Sequence, residues 1–72
     1  MSKQTTSSTL SEREREVLTW LSKGKSNNDV ATILNISSDT VATYKRRIYS
    51  KLGSNDRIAV TIKALRLGLI RV

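Results

Sequence analysis

The feature that most limits the fold of this chain is a helix-start signal that occurs twice in its first half. Ser11 is followed three residues later by Glu14, and Ser26 is followed at the same distance by Asp29. At this spacing each side chain accepts a hydrogen bond from the other residue's backbone N–H group, which satisfies free donors at a helix N-terminus. Because the 72 residues contain no proline to interrupt a helix, the chain is expected to form short helices.

Stop signals and apolar spacing divide the chain into four helices. Helix 1 is expected from Ser11 to about Gly24, helix 2 over about nine residues from Ser26, helix 3 over Ser38 to Leu52, and helix 4 from near Asn55 to Gly68. The turn between helices 2 and 3 is only Asn35-Ile36-Ser37, in which asparagine tolerates a left-handed conformation and serine caps the next helix. The sequence therefore predicts an all-α four-helix bundle with a central helix-turn-helix formed by helices 2 and 3.

Each predicted helix has one apolar face for a shared core. These faces comprise Leu10, Val17, Leu18 and Leu21 in helix 1, Val30, Ala31, Ile33 and Leu34 in helix 2, Val41, Tyr44, Ile48 and Leu52 in helix 3, and Ile58, Ile62, Leu65 and Leu69 in helix 4. Helix 4 has a second apolar stripe on its other side, formed by Val60, Ala64 and Leu67. Since a small domain cannot bury both faces of a terminal helix, this stripe is predicted to be the interface of a homodimer.

The composition argues against catalysis. The chain has no cysteine and no histidine, which removes disulfides, the commonest zinc sites, thiol nucleophiles and the commonest general base. It also shows no paired carboxylates in an expected cleft. We therefore predict no catalytic residue, no metal and no cofactor, and the chain is not expected to be an enzyme.

The N-terminal end differs in composition from the rest. Residues 1–9 contain no apolar side chain beyond Met1 and are expected to form a flexible arm or linker stub before a single domain at 10–72. The sequence has no apolar run near the roughly 18 residues that a transmembrane helix needs, and no apolar stretch typical of a signal peptide. These features predict a cytoplasmic protein without membrane association.

The positive charge lies in one half of the chain. Residues 1–39 carry five basic and five acidic side chains, whereas residues 40–72 carry eight basic side chains and one acidic one, so the whole formal charge of +7 falls there. A solubilising surface is one explanation. Binding of a polyanion is the other, and helix 3 favours it.

The outward ridge of helix 3 suits the DNA major groove. At 100° per residue, Ala42, Thr43 and Arg46 project from the side opposite the predicted core face. The two slim residues allow the helix to approach base edges, and the arginine one turn later can pair bidentately with guanine. We predict that these three residues contact bases and that Thr40, Lys45, Arg47 and Lys51, on the flanks of the ridge, contact phosphate.

Other partners fit the residues less well. A protein-interaction module that used only helix 4 would not need Arg46 or its slim neighbours. RNA binding lacks an aromatic stacking platform in this sequence, and the most basic helix lacks a wide apolar face that is free for lipid.

Motifs spread along the chain carry a family resemblance. The sequence has RE-x-EVL at 13–18, G-x-SN at 24–27, L-x-IS at 34–37, TV at 40–41 and KLG at 51–53. With these motifs, residues 10–70 closely resemble the LuxR-type (FixJ/NarL, GerE-like) DNA-binding domain. The resemblance implies a C-terminal domain of a bacterial transcription regulator, preceded in most members by a receiver domain or an autoinducer-binding domain. Which of these branches is closer stays open, as does the possibility of a small stand-alone regulator.

The resemblance also implies roles for individual residues. The third helix of this family enters the major groove of a pseudo-palindromic double-stranded DNA site, and the fourth helps to form a dimer. The family's base-reading positions correspond to Ala42, Thr43 and Arg46, and its usual phosphate positions to Thr40, Lys45 and Lys51. RNA polymerase is the further partner expected of such a regulator. Many members have histidine where this chain has Tyr44, whose ring is expected to pack at the core edge rather than to read bases.

Overall fold

The computed structural model describes residues 10–71 and consists, over that range, of four helices. They are α1 (Glu12–Ser22), α2 (Asn27–Leu34), α3 (Ser38–Leu52) and α4 (Arg57–Arg66). The described residues include no strand, and the all-α prediction is confirmed. The predicted arm at 1–9 lies outside the described residues, so its structure stays a prediction.

Local signals set the helix starts. The Ser11 hydroxyl accepts the Glu14 backbone N–H at 3.1 Å, and the Glu14 carboxylate accepts the Ser11 N–H at 2.8 Å. Ser26 and Asp29 form the same pair of hydrogen bonds at the start of α2. The two predicted capping boxes are therefore confirmed. Helix α4 begins about two residues later than predicted, because Asp56 caps it by accepting the N–H of Ile58.

The turn between α2 and α3 has the predicted left-handed residue. Asn35 has φ 59° and ψ 47°, and it is the one non-glycine residue with positive φ among the described residues. Ser37 then caps α3 by accepting the N–H of Thr40 at 3.1 Å. This tight corner, in which α2 and α3 pack against each other, confirms the helix-turn-helix.

Helix α3 lies at the centre of the bundle and packs against all three other helices. The core contains Leu10, Val17, Leu18, Leu21, Val30, Ala31, Val41, Ile48, Leu52, Val60, Ala64 and Ile70. The predicted core faces of helices 1 and 3 are confirmed, with Tyr44 partly buried against the core as expected. In α2, however, Ile33 is 43% exposed, because at 100° per residue it lies roughly 160° around the helix from the buried Ala31.

Helix α4 is rotated relative to the prediction. Val60 and Ala64 are completely buried in the core of their own chain, whereas Ile58 is 67% and Ile62 48% exposed. Val60 and Ala64 therefore belong to the core and cannot line a dimer interface, whereas the predicted core residues Ile58 and Ile62 face solvent. The other two predicted core residues, Leu65 and Leu69, are partly buried against the core as expected. Leu67 is 48% exposed, but it follows the end of α4 on the side of the buried residues. The prediction for α4 is wrong at Val60, Ala64, Ile58 and Ile62, because both faces of the helix are apolar and the structure buries the smaller side chains.

Candidate nucleic-acid interface

The outward ridge of α3 presents the side chains that the sequence predicts to face bases. Arg46 is exposed, and Ala42 and Thr43 are half-buried at the foot of the same ridge. The Thr43 hydroxyl donates to the Asp39 carbonyl oxygen at 3.1 Å, so its proton is used within the helix and its oxygen remains an acceptor. The outward face of α3 therefore has the short side chains of Ala42 and Thr43 near its start and the long cationic side chain of Arg46 one turn later.

The start of α3 is held in place by hydroxyl groups. The Ser37 and Thr40 side-chain oxygens lie 2.8 Å apart in a hydrogen bond, and both residues are exposed. Free backbone N–H groups at a helix N-terminus also favour an anion. The phosphate contact of Thr40 stays a prediction.

Basic side chains flank the ridge. The Lys45 ammonium lies 5.7 Å from the centre of the Tyr49 ring, a cation–π distance that holds it on one flank. On the other flank, an open depression of about 350 Å³ is lined by Arg46, Arg47, Ser50 and Lys51. No acidic side chain lines this depression, and three of its four lining residues are basic.

Lys51 differs from the other predicted phosphate residues. Its ammonium donates to Glu14 Oε1 at 2.8 Å. Glu14 is only 3% exposed and is the one buried charged residue among those described. Burial by itself raises the pKa of the Glu14 carboxyl, but hydrogen bonds from Lys51 and Ser11 and the lysine charge outweigh it, so the pKa is lowered from its ordinary value of 4.5.

The Glu14–Lys51 pair is the functional feature that sequence reasoning missed. The capping motif gave Glu14 a local role, and the partner lies 37 residues away in the sequence. One signal was available, since Glu14 falls on the same face of α1 as Val17, Leu18 and Leu21. A carboxylate on a core face requires a cation or several donors.

The comparisons with known proteins identify the family. The family model described as bacterial regulatory proteins, luxR family, matches residues 8–64. The chain belongs to this family. It is therefore a LuxR-type DNA-binding domain of a transcription regulator, in agreement with the resemblance found in the sequence.

Relatives of this LuxR-type domain include regulators of two kinds. It is 41% identical over 61 residues to the quorum-sensing regulator RhlR of Pseudomonas aeruginosa, covering 85% of this chain and 25% of RhlR. It is 44% identical over 59 residues to the nitrate/nitrite response regulator NarP of Escherichia coli, covering 82% of this chain and 27% of NarP. The chain thus spans about a quarter of the length of these curated relatives, and the two branches stay equally open.

A solved structure confirms the architecture. The transcription factor GerE superposes on this LuxR-type domain with a TM-score of 0.80 and 34% identity, over 86% of this chain and 92% of the GerE chain. Among residues 10–71, no helix is long and apolar enough to cross a membrane. The cytoplasmic location stays a prediction.

Proposed function

We propose that this domain reads a two-fold DNA site as a dimer, with α3 in the major groove and Ala42, Thr43 and Arg46 at the base edges. The observation that carries the proposal is the shape and charge of the α3 ridge. Two slim side chains allow close approach to the groove floor, and an exposed guanidinium follows one turn later. Its planar fork matches the O6 and N7 acceptors of guanine.

Phosphate contacts complete the proposed interface. Thr40, Lys45 and Arg47 flank the ridge and fix the position of α3 without reading sequence. None of residues 10–71 forms an ion pair with Lys45 or Arg47 within 4.0 Å, so both cations are available to the DNA backbone. Lys51 differs from them, because Glu14 already holds its ammonium.

Replacement of Arg46 by alanine tests the reading role. Binding to a site selected from a random DNA pool is expected to weaken by about 1–3 kcal/mol, with nearly unchanged affinity for a scrambled duplex. The matched control is Arg47→Ala, which should weaken binding to both duplexes similarly. Fluorescence anisotropy with labelled duplexes measures the affinities of the wild type and both variants for each duplex. Equal losses on the selected and scrambled duplexes for Arg46→Ala would remove this residue from the base contacts.

The proposed dimer contact is the exposed face of α4. Ile58 and Ile62 lie one turn apart on this face and are exposed, whereas Leu65 beside them is partly buried against the core of its own chain. A two-fold axis through the face covers it with its own copy and places two recognition helices about 34 Å apart, one turn of DNA. Because the face is narrow, its area should fall below the ~1,200 Å² of standard interfaces, so DNA is expected to promote the association.

Two residues with the same exposure allow a matched test of this contact. Ile62 and Leu67 are each 48% exposed, but only Ile62 lies on the proposed dimer face. Ile62→Asp is expected to abolish cooperative binding to a full two-fold site and to preserve binding to a half-site. Leu67→Asp should leave cooperativity intact. If Leu67→Asp alone removed cooperativity, with both variants folded by circular dichroism, the contact would lie elsewhere.

RNA polymerase is the further partner that we propose. The support is membership of a family of transcription regulators, since a regulator bound to a promoter acts on the transcription machinery. Metal chemistry gains no support from the described residues, which contain no group of three metal-binding side chains. The family points to a regulatory role without catalysis.

A further inference from the structure

The Glu14–Lys51 ion pair lies at the border of the proposed DNA surface. Lys51 is in the last turn of α3 and lines the same depression as Arg46 and Arg47. Its side chain is 35% exposed, so the ammonium is at the edge of the surface rather than inside the core. An unpaired ammonium there would be within reach of the phosphates that Arg47 is proposed to contact.

The carboxylate that holds Lys51 cannot move to the surface with it. Glu14 Oε1 accepts both the Lys51 ammonium and the Ser11 backbone N–H, each at 2.8 Å. The Ser11 hydroxyl in turn accepts the Glu14 backbone N–H, which fixes the residue in the first turn of α1. If Lys51 turned toward a phosphate, it would leave a buried carboxylate without its cation, which is strongly unfavourable.

The pair therefore changes the electrostatics of DNA binding. Sequence-independent affinity comes from cations that neutralise phosphates and release counterions, and it weakens with salt in proportion to the number of such contacts. A lysine held by a fixed carboxylate forms a pair of zero net charge and adds little to that number. The neighbouring Arg47 has no such partner within 4.0 Å among residues 10–71.

From this geometry we infer that Glu14 is a positioning residue for DNA binding that acts through Lys51. It withholds one ammonium of the recognition helix from the DNA backbone and thereby limits the affinity shared by all sequences. The inference rests on the proposed function of α3. In this proposal Lys51 does not contact phosphate as strongly as an unpaired lysine would, in contrast to the phosphate contact that the sequence predicts for it.

The test is a double-mutant cycle read as salt dependence. Glu14→Gln keeps the side-chain volume and can still accept the Ser11 N–H, as glutamine does in other capping boxes. Its lysine is released, so the slope of log affinity against log salt is expected to steepen by about one on selected and scrambled duplexes alike. Raising salt from 50 to 200 mM should then cost the variant about fourfold more affinity than the wild type.

The other arms separate this effect from a structural one. The Glu14→Gln/Lys51→Met double variant removes both charges of the pair and should return the slope to the wild-type value. Lys51→Met alone, which leaves the Glu14 carboxylate unpaired, completes the cycle. Arg47→Met is the matched control and should flatten the slope by about one. Circular dichroism melts set a temperature at which every variant is folded, and a purely structural role would not change slopes measured there.

Two results would overturn the inference. One is a slope about one below the wild-type value in the Glu14→Gln/Lys51→Met double variant, which would make Lys51 an ordinary phosphate contact in the wild type. The other is an unchanged slope in folded Glu14→Gln while Arg47→Met responds. A failure of the proposed function is distinct from both, because the wild type would then not prefer the selected duplex and Arg47→Met would not change the slope.

Discussion

Shortening Val60 to alanine is expected to destabilise the domain more than shortening Ile62, although isoleucine loses the larger group. Val60 is completely buried, whereas Ile62 is 48% exposed. Val60→Ala removes two buried methyl groups and leaves a cavity, which together cost about 2 kcal/mol. Ile62→Ala removes atoms that are half in water already, so its cost is about 1 kcal/mol or less. The gain in helix propensity is similar for the two substitutions and does not change their order.

The difference is large relative to the stability of so small a domain. At ~0.05–0.15 kcal/mol per residue, a chain of this length has an unfolding free energy of roughly 4–11 kcal/mol. Urea titration followed by far-ultraviolet circular dichroism measures it, with a slope of about 1 kcal/mol per molar for small proteins. The midpoint is therefore expected to fall by about 2 M in Val60→Ala and by about 1 M or less in Ile62→Ala.

The titration is performed without DNA and at low protein concentration, so that association through α4 does not contribute. The orientation of α4 is then the property under test. A larger loss in Ile62→Ala than in Val60→Ala would place the Ile58–Ile62 face in the core. It would refute the assignment of that face to the dimer as well.

Two further predictions concern the capping signals. Because the pKa of Glu14 is lowered, its ionised form stabilises the fold above pH 4.5, and this contribution is lost as the pH falls through the folded-state pKa. The difference in urea midpoint between wild type and Glu14→Gln should therefore shrink from pH 7 to pH 3. A constant difference would contradict the ion pair. Asn35 has φ 59°, so Asn35→Ala is expected to lower the free energy of unfolding by about 1 kcal/mol and Asn35→Gly to leave it nearly unchanged. If thermal melts showed that alanine is tolerated as well as glycine, the turn would not require a left-handed residue at this position.

Local sequence signals were sufficient to predict most of the fold. The capping boxes at Ser11 and Ser26 and the left-handed turn at Asn35 each depend on residues within three or four positions of one another. Backbone hydrogen bonding and sterics decide such features almost independently of the rest of the chain. The ridge of α3 was predictable for the same reason, because one face of α3 is clearly apolar and the opposite face follows from the helix period.

Features that depend on distant residues were not predictable in this way. The Glu14–Lys51 pair joins the first turn of α1 to the last turn of α3, and neither residue alone indicates its partner. The predicted phosphate contact of Lys51 used only the position of the lysine on α3. Its environment, including a carboxylate from another helix, appears only when the helices are packed together.

The failure at α4 shows how packing selects between two apolar faces. One face contains Ile58 and Ile62 and the other contains Val60 and Ala64, so hydrophobic periodicity is satisfied by either orientation. The most hydrophobic face was predicted to be inside. In the structure the small residues are inside, where they allow α4 to pack closely against α1 and α3, and the larger residues remain available to a second copy.

Enlarging the smallest buried residue of α4 tests this argument directly. Ala64 is completely buried, and replacing it with leucine inserts three carbon atoms into a core whose neighbouring helices are already in contact. The expected cost is about 1–3 kcal/mol, because the added atoms force side chains out of their preferred rotamers or displace α4. Ala59→Leu is the matched control, since Ala59 is exposed in the same helix and leucine there should change the urea midpoint little. If close packing of small side chains did not determine the orientation, Ala64→Leu would be tolerated as well as Ala59→Leu, and the burial of Val60 and Ala64 would need another cause.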